Sequence, residues 1–308
     1  MSRVAAIDCG TNSIRLLVAD IEGENFRDIY RTMEIVRLGE GVDRERKFSP
    51  AAIERTLRAV SEFSAEIRRR GVTAIRFCAT SATRDASNRD EFINGVFEIL
   101  GVRPEVISGD EEARLTFKGA IHQLHQTDAP FLVVDIGGGS TEFVIGVSDI
   151  EAAKSVNIGC VRMSERHFKN GPPGSEAIAA AIRDIDAAIE DAAAQVPIAS
   201  AATVIAVAGT ATTVAAASLD LASYDRYAIH LSRISSSKVS EITERFLVMK
   251  RDEIASLGFM HPGRVDVIAA GSLILDRILK RSGATEFVAS ESDILDGMAW
   301  SIASGAKS

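Results

Sequence analysis

The feature that most constrains the fold of this chain is a β-hairpin sequence that occurs twice. The segment AIDCGTNSIRLLV near the N-terminus aligns without gaps with VVDIGGGSTEFVI in the middle of the chain, which pairs Asp8 with Asp135 and Gly10 with Gly137. A repeat of about 127 residues is too long for a single hairpin unit and is typical of a duplicated domain. The sequence therefore predicts two domains of similar architecture.

The predicted elements follow the same order in both halves. Alternating apolar patterns separated by Gly, Asn and Asp turns predict three strands at the start of each half. A helix follows in the first half, with Ser49 as N-cap, Pro50 in its first turn and Gly71 at its end. Strands and helices then alternate, and further helices are inserted in the second half. We expect an α/β protein with two βββαβαβα domains, residues 1–126 and 127–308, facing each other across a cleft.

Composition and charge exclude several classes of protein. Of 308 residues, 46% are hydrophobic and 25% charged, which is typical of a globular protein. A net charge of -8 disfavours nucleic acid and anionic membranes as partners. Cys9, Cys78 and Cys160 lack metal-ligand spacing, which predicts buried thiols in a reducing compartment. Without a leader pattern or a long apolar run, the expected location is the cytoplasm.

The glycine-rich loop of the second hairpin is a candidate phosphate site. A Rossmann loop or a P-loop opens a helix, whereas the residues EFVIG after this loop alternate as in a strand. A hairpin loop can still bind phosphate, because Gly137, Gly138 and Gly139 allow close approach and present backbone N–H groups. Ser140 and Thr141 add hydroxyl groups. The alternative is a tight turn without a ligand.

Further motifs accompany the two hairpins: ATSATRDASN, SGDEEARLTFKGA, NIGCVRMSE and AVAGTATT. In this order, over nearly the whole chain, they resemble the exopolyphosphatase and guanosine pentaphosphate phosphohydrolase family. The resemblance implies the actin-like (ribonuclease H-like) fold shared with sugar kinases and heat-shock ATPases. It also implies release of the terminal phosphate of inorganic polyphosphate, with guanosine pentaphosphate as an alternative substrate, a divalent cation such as Mg²⁺ and a homodimer.

The motif SGDEEAR contains a candidate for the group that activates water. Ser108 and Glu111 have the spacing of a capping box, which gives Glu111 a structural role at a helix start. Glu112 has no such role, and its neighbours Thr116 and Gly119 are small, so its side chain can point into a cleft. The family's catalytic Glu also aligns with Glu112. The alternative is a surface Glu that complements the helix dipole.

Acidic residues at the hairpin strands are candidate metal ligands. Asp135 and Glu142 bracket the glycine loop, and Mg²⁺ prefers carboxylate oxygens. Asp8 has the equivalent position in the first hairpin and is predicted as a helper of this pair. The alternative for Asp8 and Asp135 is an Asx turn at a strand end.

The other candidates bind phosphate. The first hairpin loop supplies hydroxyl, amide and backbone donors from Thr11, Asn12 and Ser13. The resemblance implies that Arg84 is the family's phosphate-binding Arg, whose guanidinium suits bidentate contacts, with a surface position as the alternative. It also places Gly209 and Thr210 where related kinases bind a nucleotide, which is compatible with a nucleotide or a further phosphate.

The chain departs from the family pattern near its C-terminus. Many members have a Gly-Leu-Arg-Glu-Gly run, whereas this chain reads DILDG, with Leu295 and Asp296. The segment therefore has no Arg for a contact of this kind. The basic residues that could line a channel for a long polyanion are Arg162, Arg166, Lys169 and Arg264.

Two alternative functions remain open from the sequence. One is a sugar or acetate kinase of the same superfamily, which would need ATP and an acceptor. The other is a nucleotide-dependent assembly or sensor protein similar to actin or a cell-division ATPase. Phosphate release without an acceptor distinguishes the hydrolase from the kinase, and rapid turnover distinguishes it from the sensor.

Overall fold

A computed structural model of the protein describes residues 2–23, 25–122, 124–168 and 171–303. Its contacts divide the chain into two compact units. Unit 1 comprises Met1–Gly119 together with Ile294–Ser308, and unit 2 comprises Ala120–Asp293. The described helices include none that is both long and apolar enough to cross a membrane.

Unit 1 is built on a mixed sheet of five strands in the order β3-β2-β1-β4-β5. The first three strands are antiparallel neighbours, and β4 and β5 add parallel to β1. The strands are β1 (Ser2–Cys9), β2 (Ser13–Glu22), β3 (Asn25–Ile35), β4 (Ala74–Ala79) and β5 (Glu105–Val106).

Helices cover both faces of this sheet. They are α1 (Val42–Glu45), α2 (Pro50–Arg69), α3 (Ser81–Asp85), α4 (Arg89–Leu100), α5 (Gly109–Ile121) and, from the end of the chain, α13 (Ile294–Ala303). Side chains alternate across β1, because successive residues of a strand point to opposite faces. Ala5 and Ile7 belong to one apolar core, and Val4 and Ala6 belong to the other.

The predicted ends of α2 are confirmed. Ser49 Oγ accepts a hydrogen bond from the Ala52 N–H at 3.2 Å, and Pro50 is the first helical residue. Gly71 follows the helix with a φ of +65°, a conformation that favours glycine. The three cysteines are free and buried, as predicted.

Unit 2 is built on a mixed sheet of six strands in the order β10-β11-β9-β6-β7-β8. Its antiparallel trio β6-β7-β8 and the parallel neighbour β9 repeat the order of the first sheet. The strands are β6 (Phe131–Ile136), β7 (Thr141–Gly146), β8 (Ile150–Val156), β9 (Thr203–Val207), β10 (Arg233–Ser235) and β11 (Glu286–Ala289).

The helices of unit 2 surround one large apolar core. They are α6 (Cys160–His167), α7 (Ser175–Ala193), α8 (Ala208–Ser218), α9 (Arg226–Ile229), α10 (Ser236–Val248), α11 (Arg251–Ala255) and α12 (Ile268–Ser282). The segment FMHPGR contains a short 3-10 turn at Pro262–Arg264. The predicted duplicated α/β architecture is confirmed by the common strand order of the two sheets.

The position of the last helix differs from the expected domain division. We expected residues 127–308 to form one domain, but α13 packs on β1, β2 and β4 of unit 1. Its apolar residues Leu295 and Met298 share a core with Leu17 and Cys78. The helix lies in unit 1 because the second face of that sheet would otherwise expose apolar side chains to water.

Candidate functional site

The two repeated hairpins make the same turn. In the first, the Gly10 N–H donates to the Ser13 carbonyl at 3.0 Å, and in the second the Gly137 N–H donates to the Ser140 carbonyl at 3.0 Å. The alignment of the two sequences therefore corresponds to the same backbone geometry in both units.

The carbonyl groups of the second loop point toward the start of α6. The Gly137 carbonyl accepts from the Cys160 N–H at 2.9 Å, and the Gly139 carbonyl accepts from Arg162 Nε at 2.6 Å. Gly159 permits this approach, since a Cβ there would lie 2.4 Å from the Gly138 oxygen. Arg162, a predicted channel residue, thus supports the loop.

The loop N–H groups differ from its carbonyl groups in their hydrogen bonds. Within the described ranges, the N–H groups of Gly138, Gly139 and Ser140 donate to no other backbone group. A loop that binds its own carbonyls and leaves successive N–H groups unused by the backbone can accept an anion. This arrangement supports the phosphate role predicted for the loop.

Thr141 differs from the other predicted loop residues. Its side chain is buried, and its hydroxyl donates to the Ile158 carbonyl at 2.7 Å. The hydroxyl therefore fixes the end of β7 against the segment before α6, and a phosphate contact would require it to leave this bond. A phosphate role of Thr141 stays a prediction.

The first loop is held by the segment that follows β3. The Thr11 carbonyl accepts from the Gly39 N–H at 2.8 Å, and the Asn12 carbonyl accepts from the Arg37 N–H at 2.8 Å. Thr11 Oγ1 is buried without a hydrogen-bond partner among the described residues. Buried hydroxyls usually have a partner, so this atom is a suitable donor for a ligand. Ser13 begins β2 beside it.

Asp135 and Glu142 lie directly opposite each other on β6 and β7. Both are buried, at 5% and 1% exposure, and Glu142 Oε1 accepts a hydrogen bond from Ser155 Oγ at 2.7 Å. Opposed side chains of an antiparallel pair are in contact range, and like charges there repel each other. A divalent cation would offset this repulsion, so the pair fits the predicted metal site.

The pair does not belong to a larger cluster of potential ligands. Among the residues that the structure describes, no group of three or more His, Cys, Asp or Glu could hold a metal ion. Mg²⁺ commonly binds one or two carboxylates and completes its shell with waters and substrate phosphates. The two carboxylates therefore fit Mg²⁺ better than a metal that needs a closed shell of protein ligands.

The first hairpin has a different charge arrangement. Asp8 is paired across the strands with Arg15, whose Nη2 and Nε donate to one carboxylate oxygen at 2.7 and 3.0 Å. Arg15 thus has the position that Glu142 has in the second hairpin. The predicted helper role of Asp8 at the metal is not supported by this geometry, because a protein cation already neutralises its carboxylate. This difference is visible in the sequence, because the repeat alignment pairs Arg15 with Glu142.

Glu112 lies in the first turn of α5 and is 8% exposed. Its Oε2 accepts a hydrogen bond from Arg84 Nη1 at 2.8 Å, and the same nitrogen donates to the Ile107 carbonyl at 2.9 Å. The structure therefore brings together the predicted base and the predicted phosphate-binding Arg. The sequence did not predict that these two side chains form a pair.

The environment of Glu112 favours its protonated form. Burial raises the pKa of the carboxyl above its ordinary value, and the nearby Asp8 charge raises it further. The charge and hydrogen bond of Arg84 and an interaction with the Thr80 hydroxyl act in the opposite direction but do not cancel the effect of burial. A raised pKa is typical of a carboxyl that accepts a proton near neutral pH.

Glu111 is bound away from Glu112. Ser108 Oγ accepts from the Glu111 N–H at 3.2 Å, as the capping prediction requires. The carboxylate of Glu111 instead accepts from Arg76 Nη2 at 2.5 Å. The two adjacent acidic residues thus have different partners, and Glu112 is the one beside Arg84.

The predicted nucleotide or phosphate loop begins α8. Arg264 Nη1 donates to the Gly209 carbonyl at 2.8 Å and to Thr213 Oγ1 at 2.9 Å, and a Cβ at Gly209 would lie 2.2 Å from Arg264 Cζ. The Thr210 side chain is buried beside Gly271 of α12. Arg264, which the sequence indicated as a channel residue, therefore contacts this loop through its guanidinium.

Of the two remaining channel candidates, Arg166 belongs to the described residues. Arg166 lines a surface depression of unit 2 with Lys154 and Asp184. Lys169 lies outside the described residues. In the DILDG segment, Leu295 is a core residue and Asp296 accepts from Arg31 Nη2 at 2.7 Å, so this segment has a packing role in unit 1.

Two units that share a strand order, each opened by a hairpin with an acidic residue before its loop, define an actin-like fold. The family model described as the Ppx/GppA phosphatase family matches residues 17–302. The chain belongs to this family.

The similarity to a curated protein and to two solved structures extends over nearly the whole chain. Exopolyphosphatase 2 of Mycobacterium tuberculosis (strain CDC 1551 / Oshkosh) is 43% identical over 317 residues, which cover 98% of this chain and 99% of that protein. The crystal structure of an exopolyphosphatase-like protein is 41% identical with a TM-score of 0.95, covering 98% of this chain and 99% of the other. The Ppx/GppA family member of Aquifex aeolicus is 26% identical with a TM-score of 0.81, covering 100% and 99%.

Proposed function

We propose that this protein is an exopolyphosphatase that hydrolyses the terminal phosphoanhydride bond of inorganic polyphosphate and releases orthophosphate. The observation that carries the proposal is the second hairpin. Among the described residues, the N–H groups of Gly138, Gly139 and Ser140 in its loop donate to no backbone carbonyl, and the two flanking strands carry a pair of buried, opposed carboxylates. Family membership and the 43% identical exopolyphosphatase support the same reaction.

Glu112 is the proposed general base. Water attacks the terminal phosphorus atom, one of its protons passes to the Glu112 carboxylate, and the bond from phosphorus to the bridging oxygen breaks. The shortened polyphosphate leaves with that oxygen. Because burial raises its pKa, the carboxyl is a stronger base than an exposed Glu and accepts this proton more readily.

The remaining proposed residues bind and orient the phosphate groups. In unit 2, the loop at Gly137–Ser140 has backbone N–H groups that can donate to phosphate. In unit 1, Thr11 Oγ1 and Arg84 offer a hydroxyl and a guanidinium for the same purpose. Such donors stabilise the charge that develops on equatorial oxygens during phosphoryl transfer. The other residues proposed to bind phosphate are Asn12, Ser13, Thr141, Gly209 and Thr210.

Asp135 and Glu142 are the proposed ligands of a divalent cation, with Mg²⁺ as the expected ion. When bound, such a cation neutralises phosphate oxygens and orients the substrate. The protein contributes the buried carboxylate pair and the Ser155 hydroxyl that fixes Glu142 at 2.7 Å. A water-poor setting makes these charges more effective than they are in solution.

A phosphate-release assay tests the proposal. Short polyphosphate, long polyphosphate, guanosine pentaphosphate and ATP are compared at equal concentration, each with Mg²⁺ and with a chelator. We expect Mg²⁺-dependent release from polyphosphate without any acceptor. Release from guanosine pentaphosphate alone would replace the substrate and keep the reaction. Turnover only of ATP, and only with an acceptor present, would establish the kinase alternative and contradict the proposal.

We further propose a cytoplasmic homodimer that binds neither nucleic acid nor membranes. The net charge of -8 supports the last two points, because anionic polymers and surfaces are repelled by a negative protein. Sedimentation of the purified protein with and without nucleotide tests the oligomer. Nucleotide-dependent assembly without rapid turnover would favour the sensor alternative.

A further inference from the structure

The helix from the end of the chain makes backbone contact with the helix that carries Glu112. At Gly297 in α13, a Cβ would lie 1.9 Å from the carbonyl oxygen of Leu115 and 2.7 Å from its carbonyl carbon. Leu115 follows Glu112 by about one turn of α5. A side chain at position 297 has no room, so the approach of the two helices depends on this glycine.

A second connection joins the same two helices through Arg76 of β4. Its guanidinium donates to Glu111 at 2.5 Å and to Ser301 Oγ at 2.9 Å. The side chain is 10% exposed, and Ser301 in turn donates to the Met298 carbonyl at 2.7 Å. The first turn of α5 and the turn that follows it are therefore both fixed to α13.

The core fixes α13 itself. Leu295 and Met298 pack in the same apolar cluster as Leu115, together with residues of β1 and β2. Asp296 adds an ion pair with Arg31 of β3 at 2.7 Å. The anchored α13 thus holds Gly297 against the backbone of α5, and a side chain at position 297 would press directly on that backbone.

We propose that Gly297 is a positioning residue for the reaction, because the close approach it permits sets the place of Glu112. The inference rests on the proposed function, in which Glu112 is the base. Ordinary van der Waals contacts of a Cβ begin near 3.4 Å, so a methyl group at 1.9 Å requires a displacement of more than an ångström. An error of about 1 Å in the position of a reacting group can reduce the rate about 100-fold.

Gly297→Ala tests the proposal, with Gly258→Ala as the matched control. We expect kcat on polyphosphate to fall about 100-fold for Gly297→Ala while KM stays unchanged, because neither hairpin loop is altered. At Gly258 in unit 2 a Cβ would lie 2.1 Å from the Ala222 oxygen, a similar clash remote in sequence from α5. Gly258→Ala should lower Tm without changing kcat.

A measurement that needs no turnover separates this inference from the proposed function. The carboxyl ¹³C resonance of Glu112, assigned by its loss in Glu112→Gln, should shift in Gly297→Ala and stay in place in Gly258→Ala. A wild-type protein without phosphate release would defeat the proposed function and leave this comparison valid. A folded Gly297→Ala with wild-type kcat and an unshifted resonance would overturn the inference.

Ser301→Ala provides a second variant in case Gly297→Ala does not fold. The change removes one partly buried hydroxyl and breaks the link from Arg76 to α13 while the contact of Arg76 with Glu111 stays. We expect a smaller loss of kcat, again with unchanged KM, and a smaller shift of the Glu112 resonance. If both quantities equal those of the wild type, α13 does not position Glu112.

Discussion

At the scale of single residues, the adjacent Glu111 and Glu112 offer a direct test of the proposed base. Glu112→Gln should lower kcat by about 10²- to 10⁴-fold, the usual contribution of a general base, and leave polyphosphate binding intact. Glu111→Gln keeps an acceptor for Arg76, and its backbone N–H can still donate to Ser108 Oγ, so its main effect should be a loss of about 1 kcal/mol of stability from the weakened bond to Arg76. Steady-state kinetics and thermal unfolding of both variants measure these effects.

Equal loss of turnover in both variants would contradict the assignment of Glu112. The comparison is sharp because the two residues are neighbours with the same carboxylate and different partners. Glu111 binds Arg76, and Glu112 binds Arg84 at 2.8 Å.

The ion pair of Arg84 with Glu112 predicts a pH dependence. The base must be deprotonated, so kcat/KM should rise as pH rises through the pKa of Glu112. Burial raises that pKa, and the acidic limb should therefore lie above the ordinary Glu value of about 4.3. Arg84 lowers the same pKa, so Arg84→Gln should move the limb to still higher pH.

Arg84→Lys is the control for this prediction, since it keeps the positive charge and loses only the planar guanidinium. Its acidic limb should stay close to that of the wild type even if KM increases. An acidic limb at the same pH in Arg84→Gln as in the wild type would show that Arg84 does not influence the titration of Glu112. The ion pair would then not determine the pH dependence of kcat/KM.

At the scale of elements, the sequence predicted those parts that depend on local pattern. The two hairpins, the caps of α2 at Ser49 and Gly71, and the strand after the glycine loop all follow from periodicity and turn residues, and the structure confirms them. The last strand of the first sheet, β5, comprises only Glu105–Val106, because it pairs with β4 only at Cys78 and Ala79.

Contacts between distant segments could not be predicted in the same way. Nothing local in ILDGMAWSIA indicates that this helix returns to unit 1, because its apolar residues would fit either sheet. The pairing of Arg84 with Glu112 also joins two elements that are 28 residues apart in the chain. By contrast, Arg15 lies at a position that the repeat pairs with Glu142, so the charge difference between the hairpins was available from the alignment.

At the scale of the whole molecule, the duplicated hairpins have diverged in how they neutralise an acidic residue. Asp8 has a protein cation, Arg15, whereas Asp135 faces a second carboxylate, Glu142. The acidic residue thus has a cation as its cross-strand neighbour in the first hairpin and a second carboxylate in the second, so we expect an added cation to stabilise the second hairpin more.

This difference predicts how metal changes global stability. A cation that binds only the folded protein raises the free energy of unfolding by about 2.7 kcal/mol at one hundred times its Kd. Mg²⁺ should therefore raise Tm relative to a chelator, and Asp135→Asn should abolish that increase. Asp8→Asn should have a lower Tm under both conditions, since it leaves Arg15 without its carboxylate, but it should keep the Mg²⁺-dependent increase. Calorimetry of the three proteins decides between two arrangements. If Asp8→Asn also loses the increase, Asp8 belongs to the metal site as the sequence first indicated, and its bond to Arg15 opens when the metal binds.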